Sequence, residues 1–281
     1  MYVAVDNGGT STRVGITHDL TRPAIEVVDH FDTFLSYDAQ MERLIKSISQ
    51  LEARGIEGIG ISLGGHVARD GRTVSDAVNL RDYEGKPYVR QLEQRFGCPV
   101  RMAHDVVCGL LGEKAFGALK DYDHCAYLTI STGTGGAIQL RKNGNALTVS
   151  ISMGHQIIAG NPRVCLCGQT GCLETITGGK QIALHYGREA SQITDVAFWQ
   201  ELTESLAIGI VNLCRLAYIE AVVISGGIGL HAPYLREHLT ERVNALRTSD
   251  AYRLIWSELG ERAPILGAAQ LLITPEETII H

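Results

Sequence analysis

The sequence predicts an α/β protein built as two similar lobes. Three observations carry that expectation. Apolar strands flank a glycine-rich turn at residues 1–17, and the same strand–turn–strand grammar restarts at residues 125–141. Each unit is followed by segments that alternate between helical spacing and buried-strand composition. The length of 281 residues suits two domains.

Taken in order, Met1–Val5 reads as a short apolar strand, DNGGTSTR as a turn, and Val14–Thr17 as its partner. Residues 24–30 alternate like a third strand. Residues 39–54 place apolar side chains at helical spacing and stop at Gly55. Residues 56–63 form a buried strand ending in Gly64-Gly65; helix is expected over 86–96, strand over 99–103 and helix over 106–117. In the second half, strand is expected over 125–131, a turn at STGTGG, and strand over 137–141. A long amphipathic helix spans 196–218 and a strand 221–225; GGIGL turns into a helix at 233–247. The tail APILGAAQLLI reads as a last helix with small residues on one face.

Composition narrows the function. Hydrophobic residues at 45% and charged ones at 20% are those of a soluble globular enzyme able to fill sizeable cores. A net charge of -6, with no Lys/Arg run, argues against a nucleic-acid or anionic-membrane partner. No basic segment followed by an apolar one opens the chain, and no stretch nears the ~18–20 apolar residues of a membrane span. Cys98, Cys108, Cys125 and Cys214 stand singly in apolar surroundings, as small buried hydrophobes do. Seven cysteines, three of them clustered, suit a reducing compartment, so a cytoplasmic location is expected.

The clustered cysteines are the most specific signal. Gly154-His155 is followed by Cys165-Leu166-Cys167-Gly168-Gln169-Thr170-Gly171-Cys172-Leu173-Glu174. One imidazole and three thiols are a tetrahedral Zn²⁺ donor set, and the glycines let a short knuckle fold back on itself. Four protein ligands, His155, Cys165, Cys167 and Cys172, leave no open position, so such a zinc would be structural.

Two turns suit phosphate. In Asp6-Asn7-Gly8-Gly9-Thr10 the glycines can present backbone N–H groups to an anion, Thr10 adds a hydroxyl, and Asp6 could orient water around Mg²⁺. Alone, a hairpin turn has the same composition. Thr132-Gly133-Thr134-Gly135-Gly136, again after a strand, supplies a second such turn. Ser225-Gly226-Gly227-Ile228-Gly229 opens at a strand-to-helix turn. No GxxxxGK[ST] loop or Rossmann GxGxxG is present. His104-Asp105 follows the strand PVRMA. A carboxylate there can take the proton of a hydroxyl nucleophile, or simply cap a helix.

Together these motifs resemble those of the ROK family of sugar kinases and related regulators: GH-x9-CxCGxxGCLE, DxGGT, TGTGG, SGGIG, and Asp105 followed by Leu110-Leu111-Gly112-Glu113. The resemblance runs over nearly the whole chain. It implies a two-lobed actin-like ATPase (ribonuclease H-like) fold with a zinc knuckle and with nucleotide and sugar in the cleft. The lobes would be 1–118 and 119–263, with the last helix, about 264–277, returning to the first. It implies ATP and Mg²⁺ at Asp6, Gly8, Gly9, Thr10, Thr132, Gly133, Thr134 and Gly135, and adenosine at Gly226 and Gly227. Asp105 would be the general base. Gly65, Asn79, His104, His155 and Glu174 would contact the sugar, and a homodimer is expected.

Three departures fall on the sugar side. Ser152 stands where most hexokinases of the family have a glutamate, the bulkier residues 146–151 replace a Gly-rich loop, and His104 replaces an asparagine that orients a sugar hydroxyl. Within the family the likeness is strongest to bacterial N-acetylmannosamine kinases. The resulting expectation is phosphorylation of the 6-hydroxyl of a hexose or N-acyl amino sugar, N-acetylmannosamine first. The alternatives are a kinase for glucose, fructose, allose or a rarer sugar, and a non-catalytic sugar-binding regulator. Because Met1 lies almost at the first strand, no helix-turn-helix is expected ahead of it.

Overall fold

A computed structural model describes residues 1–77, 79–247 and 252–280. The chain divides into two compact units: residues 1–120, 145–150 and 262–281, and residues 121–144 and 151–261.

The first unit contains β1 (Tyr2–Asn7), β2 (Ser11–Thr17), β3 (Glu26–Asp32), α1 (Tyr37–Ser49), β4 (Gly58–Leu63), the short pair β5 (His66–Val67) and β6 (Val74–Asp76), α2 (Tyr88–Phe96), β7 (Val100–His104) and α3 (Asp105–Phe116). Its sheet runs β3-β2-β1-β4-β7. β1 and β2 are antiparallel, pairing Tyr2 with Thr17 and Asn7 with Thr12. β1, β4 and β7 are parallel, with Asn7 opposite Leu63 and Leu63 opposite His104. That register brings the turn after Asn7, the Gly64-Gly65 turn and Asp105 to one edge of the sheet. Ligands of open α/β sheets bind at such carboxyl ends of strands.

Sequence explains the packing. β1 and β4 are buried on both faces, as β-branched runs under helices on both sides should be. α1 is amphipathic: Tyr37, Met41, Leu44 and Ile48 are buried at helical spacing, and Ser36 caps its first turn. It ends at Ser49 rather than near residue 54, because Leu51 N–H bonds to the Ile48 carbonyl and the chain tightens into a 3₁₀ turn. The tail helix, Ala263–Gln270, packs on α3, β1 and β4. Its small residues permit a very close approach: a Cβ on Gly60 would lie 1.8 Å from the Ala268 carbonyl oxygen, and one on Gly267 would lie 1.7 Å from that of Cys108.

The second unit holds β8 (Cys125–Ile130) and β9 (Thr134–Lys142), antiparallel to each other. Asn143 and Gly144, at φ of 53° and 82°, then turn the chain into β10 (Asn145–Ile151), most of which belongs to the first unit. After the knuckle come α4 (Glu174–Thr177), α5 (Gly179–Tyr186), α6 (Val196–Ala217), β11 (Ala221–Ser225), α7 (Gly227–His231), α8 (Pro233–Leu246) and β12 (Arg253–Trp256). β11 lies parallel between β8 and β12. Leu202, Leu206 and Ile210 of α6 are fully buried in this unit's core with Leu128, Val222 and Ile224. The tail helix becomes α9, and β13 (Ile279–Ile280) pairs parallel with β10 at Thr148 and Val149. Among the described residues no helix is long and apolar enough to cross a membrane.

Besides the earlier end of α1, three stretches differ from the sequence expectation. Residues 227–231, expected as a turn, form the helix α7, with Gly226 as its N-cap. Residues 174–186 form α4 and α5, and residues 145–151 form a strand.

Candidate active site

In the first unit the site grows from the ends of β1, β4 and β7. Asp6 is buried, with one carboxylate oxygen 2.6 Å from Arg13 and the other accepting from the Ser62 hydroxyl at 2.8 Å. Beyond it the turn is tied down by Gly8 N–H to Ser11 O and by the Thr33 hydroxyl to Gly8 O. Thr10 is exposed. Gly64 N–H donates to Asn7 O, and a Cβ on Gly64 would lie 3.0 Å from Gly9 N. A Cβ on Gly9 would lie 3.2 Å from the Asn79 Cβ, and one on Gly65 would press on Ala77 at 2.8 Å. Gly9, Gly64, Gly65 and Asn79 therefore form one tight wall.

Asp105 begins α3. Its side chain is about one-third exposed. Burial first, and the negative charge of Asp6 second, push its carboxyl up to about 7; the Val106 N–H and His66 act the other way. His104 stands beside it, with Nε2 3.2 Å from Asp105 Oδ1 and Nδ1 2.8 Å from Ser150 Oγ. The His66 ring lies against the His104 ring, centroids 4.5 Å apart. Asp6, Gly8, Gly9, Thr10, Gly65, Asn79, His104 and Asp105 thus share one side of this unit. Arg13, Ser62, His66 and Ser150 join them without having been singled out from sequence.

In the second unit the four knuckle donors all lie within 4.8 Å of one another. Cys167 and Cys172 are 3.7 Å apart, and Cys165 Sγ is 3.9 Å from His155 Nδ1. A tetrahedron with metal–sulfur bonds of about 2.3 Å needs sulfurs about 3.8 Å apart, so the donor set fits zinc. The cysteines are free of disulfides. Gln169 and Gln181 donate to Cys172 at 3.0 Å and Cys165 at 3.3 Å, the outer support that orients metal ligands. Burial pushes the Cys172 thiol up to about 12. Gly168 and Gly171, at φ of 90° and 87°, make the reversals that bring the sulfurs together.

Glu174 links the knuckle to the TGTGG turn. Its Oε2 accepts from Thr134 N–H at 2.9 Å, and a Cβ on Gly133 would lie 2.9 Å from the same oxygen. Although Glu174 opens α4, its carboxylate bonds across to this turn. The Thr134 hydroxyl pairs with that of Thr177, so Thr132 is the exposed hydroxyl of the turn. Beside it lies a cavity of about 660 Å³ whose lining includes Thr132, Lys180, Glu189, Trp199, Gly227 and Ile228. Gly227 has open space around it. Gly226 instead packs under Ile130, whose carbonyl a Cβ there would meet at 2.5 Å.

An α/β fold in two units, with a His/Cys₃ knuckle in one and a glycine turn in each, defines a class, and comparison says which. The chain belongs to the ROK family, whose pattern matches residues 2–274. Thermotoga maritima glucokinase is 27% identical, with 96% of each chain covered. The xylose repressor of Bacillus subtilis is 28% identical over 78% of this chain, which spans 62% of that repressor's length. Among solved structures, the ROK hexokinase of Thermus thermophilus superposes with a TM-score of 0.79 at 26% identity, covering 96% of this chain and 97% of that one.

Proposed function

We propose that this protein is an ATP-dependent sugar kinase that transfers the γ-phosphoryl group to the 6-hydroxyl of a hexose or N-acyl amino sugar, with N-acetylmannosamine the first candidate. The observation that carries the reading is Asp105: a half-buried carboxylate at the carboxyl end of a parallel sheet, with a proton affinity tuned near neutrality. Asp105 takes the acceptor hydroxyl's proton as its oxygen bonds to the γ-phosphorus. The bond to the β-phosphate oxygen breaks, ADP leaves, and the proton stays on Asp105.

The other residues bind. In the first unit Gly8, Gly9 and Thr10 would bind phosphate, with Asp6 placed to orient water around Mg²⁺; in the second unit Thr132, Gly133 and Gly135 form another turn suited to phosphate. Thr134 and Glu174 brace the second turn. The 660 Å³ cavity is large enough for adenosine, with Gly227 against it and Gly226 setting the turn. His155 would hold zinc through Nδ1 with the three thiolates, leaving Nε2 for a sugar hydroxyl. Gly65 and Asn79 sit beside the first phosphate turn, where they can meet the acceptor. The N-acetylmannosamine reading is supported by a knuckle that lacks a preceding glutamate, shared with some of those kinases.

The repressor relatives favour a second reading, a sugar-binding regulator without catalysis. One experiment separates the two: ADP release from Mg-ATP across a panel of hexoses and N-acyl amino sugars. Turnover with at least one sugar is expected, and its absence with all of them overturns the kinase.

A further inference from the structure

We infer that His104 is a positioning residue for the base: Nε2 orients the Asp105 carboxylate, while Ser150 fixes the ring from its other nitrogen. The inference rests on the reading of Asp105 as base. Geometry carries it. Both ring nitrogens of His104 have partners within this unit, at 3.2 Å and 2.8 Å. The ring is packed against His66, and its side chain is only 15% exposed. Ser150 sits on β10, whose pairing with β13 at Thr148 and Val149 anchors the strand that presents it.

The proton arrangement follows. In a neutral imidazole only one nitrogen carries hydrogen. A bond to a carboxylate needs that hydrogen on Nε2, which leaves Nδ1 to accept from the Ser150 hydroxyl. Asp105 Oδ1 is then held, and Oδ2 remains to receive the acceptor's proton. A donor to the carboxylate favours its charged form, opposing both burial and the nearby charge of Asp6. Among the described residues Asp105 on α3 and His66 on β5 lie against His104, while Asp6 on β1, itself paired with Arg13 on β2, acts on Asp105. In the family resemblance an asparagine at this place orients a sugar hydroxyl. Here the replacement serves the base instead.

The amide of asparagine can replace Nδ1 of a histidine, whereas the longer glutamine reaches the place of Nε2. The test is therefore the pH dependence of kcat/KM in His104→Asn, His104→Gln and Ser150→Ala, with carbonyl ¹³C NMR following the Asp105 titration without any turnover. His104→Asn should move the acid limb and the NMR midpoint up by about one pH unit, a roughly tenfold loss of kcat/KM below pH 6. His104→Gln should restore most of that shift, and Ser150→Ala should give a smaller one in the same direction. Sugar KM should change by less than about threefold. If the limb and midpoint stay put in His104→Asn while sugar KM rises, His104 touches substrate and the inference is wrong. If Asp105→Asn keeps its turnover, the base assignment fails instead, whatever His104 does.

Discussion

The two glycine turns have nearly the same composition and are backed by opposite means. Gly8-Gly9-Thr10 is braced from within its own hairpin and sheet: Asp6 is the last residue but one of the strand before it, Arg13 belongs to the strand after it, and Ser62 lies on the neighbouring strand. The turn at 132–134 is braced from forty residues away, by Glu174 and Thr177 on the helix that the knuckle launches. One turn depends on a local ion pair, the other on a fold-back whose four donors a zinc ion would hold together. The chemistry is divided in the same way. The first unit carries the proposed base, and the second carries the cavity and the cysteines.

The largest effect should fall on the first unit alone. Asp105→Asn removes the proton acceptor while keeping its shape, and turnover should drop by about 10²–10⁴-fold. Zinc content by elemental analysis should stay at the wild-type level, since the knuckle donors lie in the other unit. Undiminished turnover would remove Asp105 from the mechanism.

Metal removal should invert that pattern. Under a strong chelator, or in Cys172→Ser, the knuckle loses the centre that would hold its sulfurs together, and Glu174 loses its fixed place. The Thr134 N–H, bonded to Glu174, should then exchange with solvent about tenfold faster, while the Gly8 N–H should not change. Hydrogen exchange read by NMR checks both amides in one experiment. Equal loosening of both turns would mean that the two are not supported independently.

Much of this arrangement was readable in advance, and the gaps have physical reasons. Asp105, the knuckle and the turns are continuous strings in which the residue types announce the chemistry. Arg13, Ser62, His66 and Ser150 are not. Each matters through a partner that sheet register brings close, and register is invisible without the pairing of distant strands. The family resemblance implies an altered loop at residues 146–151, although Asn143-Gly144 is a strong hairpin signal and Leu147, Val149 and Ile151 alternate as in a strand. Only that strand presents Ser150 as the partner of His104. Residues 174–186 give no periodic signal, because Gly178-Gly179 splits them into two short helices.

The smallest effect concerns stability, and its sign is set by Asp105. The folded state raises its carboxyl to about 7, whereas an unfolded chain holds an aspartate near 4. Between those values the native protein keeps a proton that the unfolded chain has released. Stability from this group is therefore complete below about pH 4 and lost as the pH rises through 7. Asparagine never ionises. Asp105→Asn should match the wild type in urea unfolding at pH 4 and exceed it at pH 8 by about 1–2 kcal/mol, a figure reduced because water reaches a third of the side chain. Cys172→Ser, carried through the same titration, should lose stability in the second unit wherever metal binds, with no gain at high pH. A variant at 105 no more stable at pH 8 than the wild type would show that the folded protein already compensates this charge. The carboxylate would then lack the raised proton affinity that suits it to act as a base near neutrality.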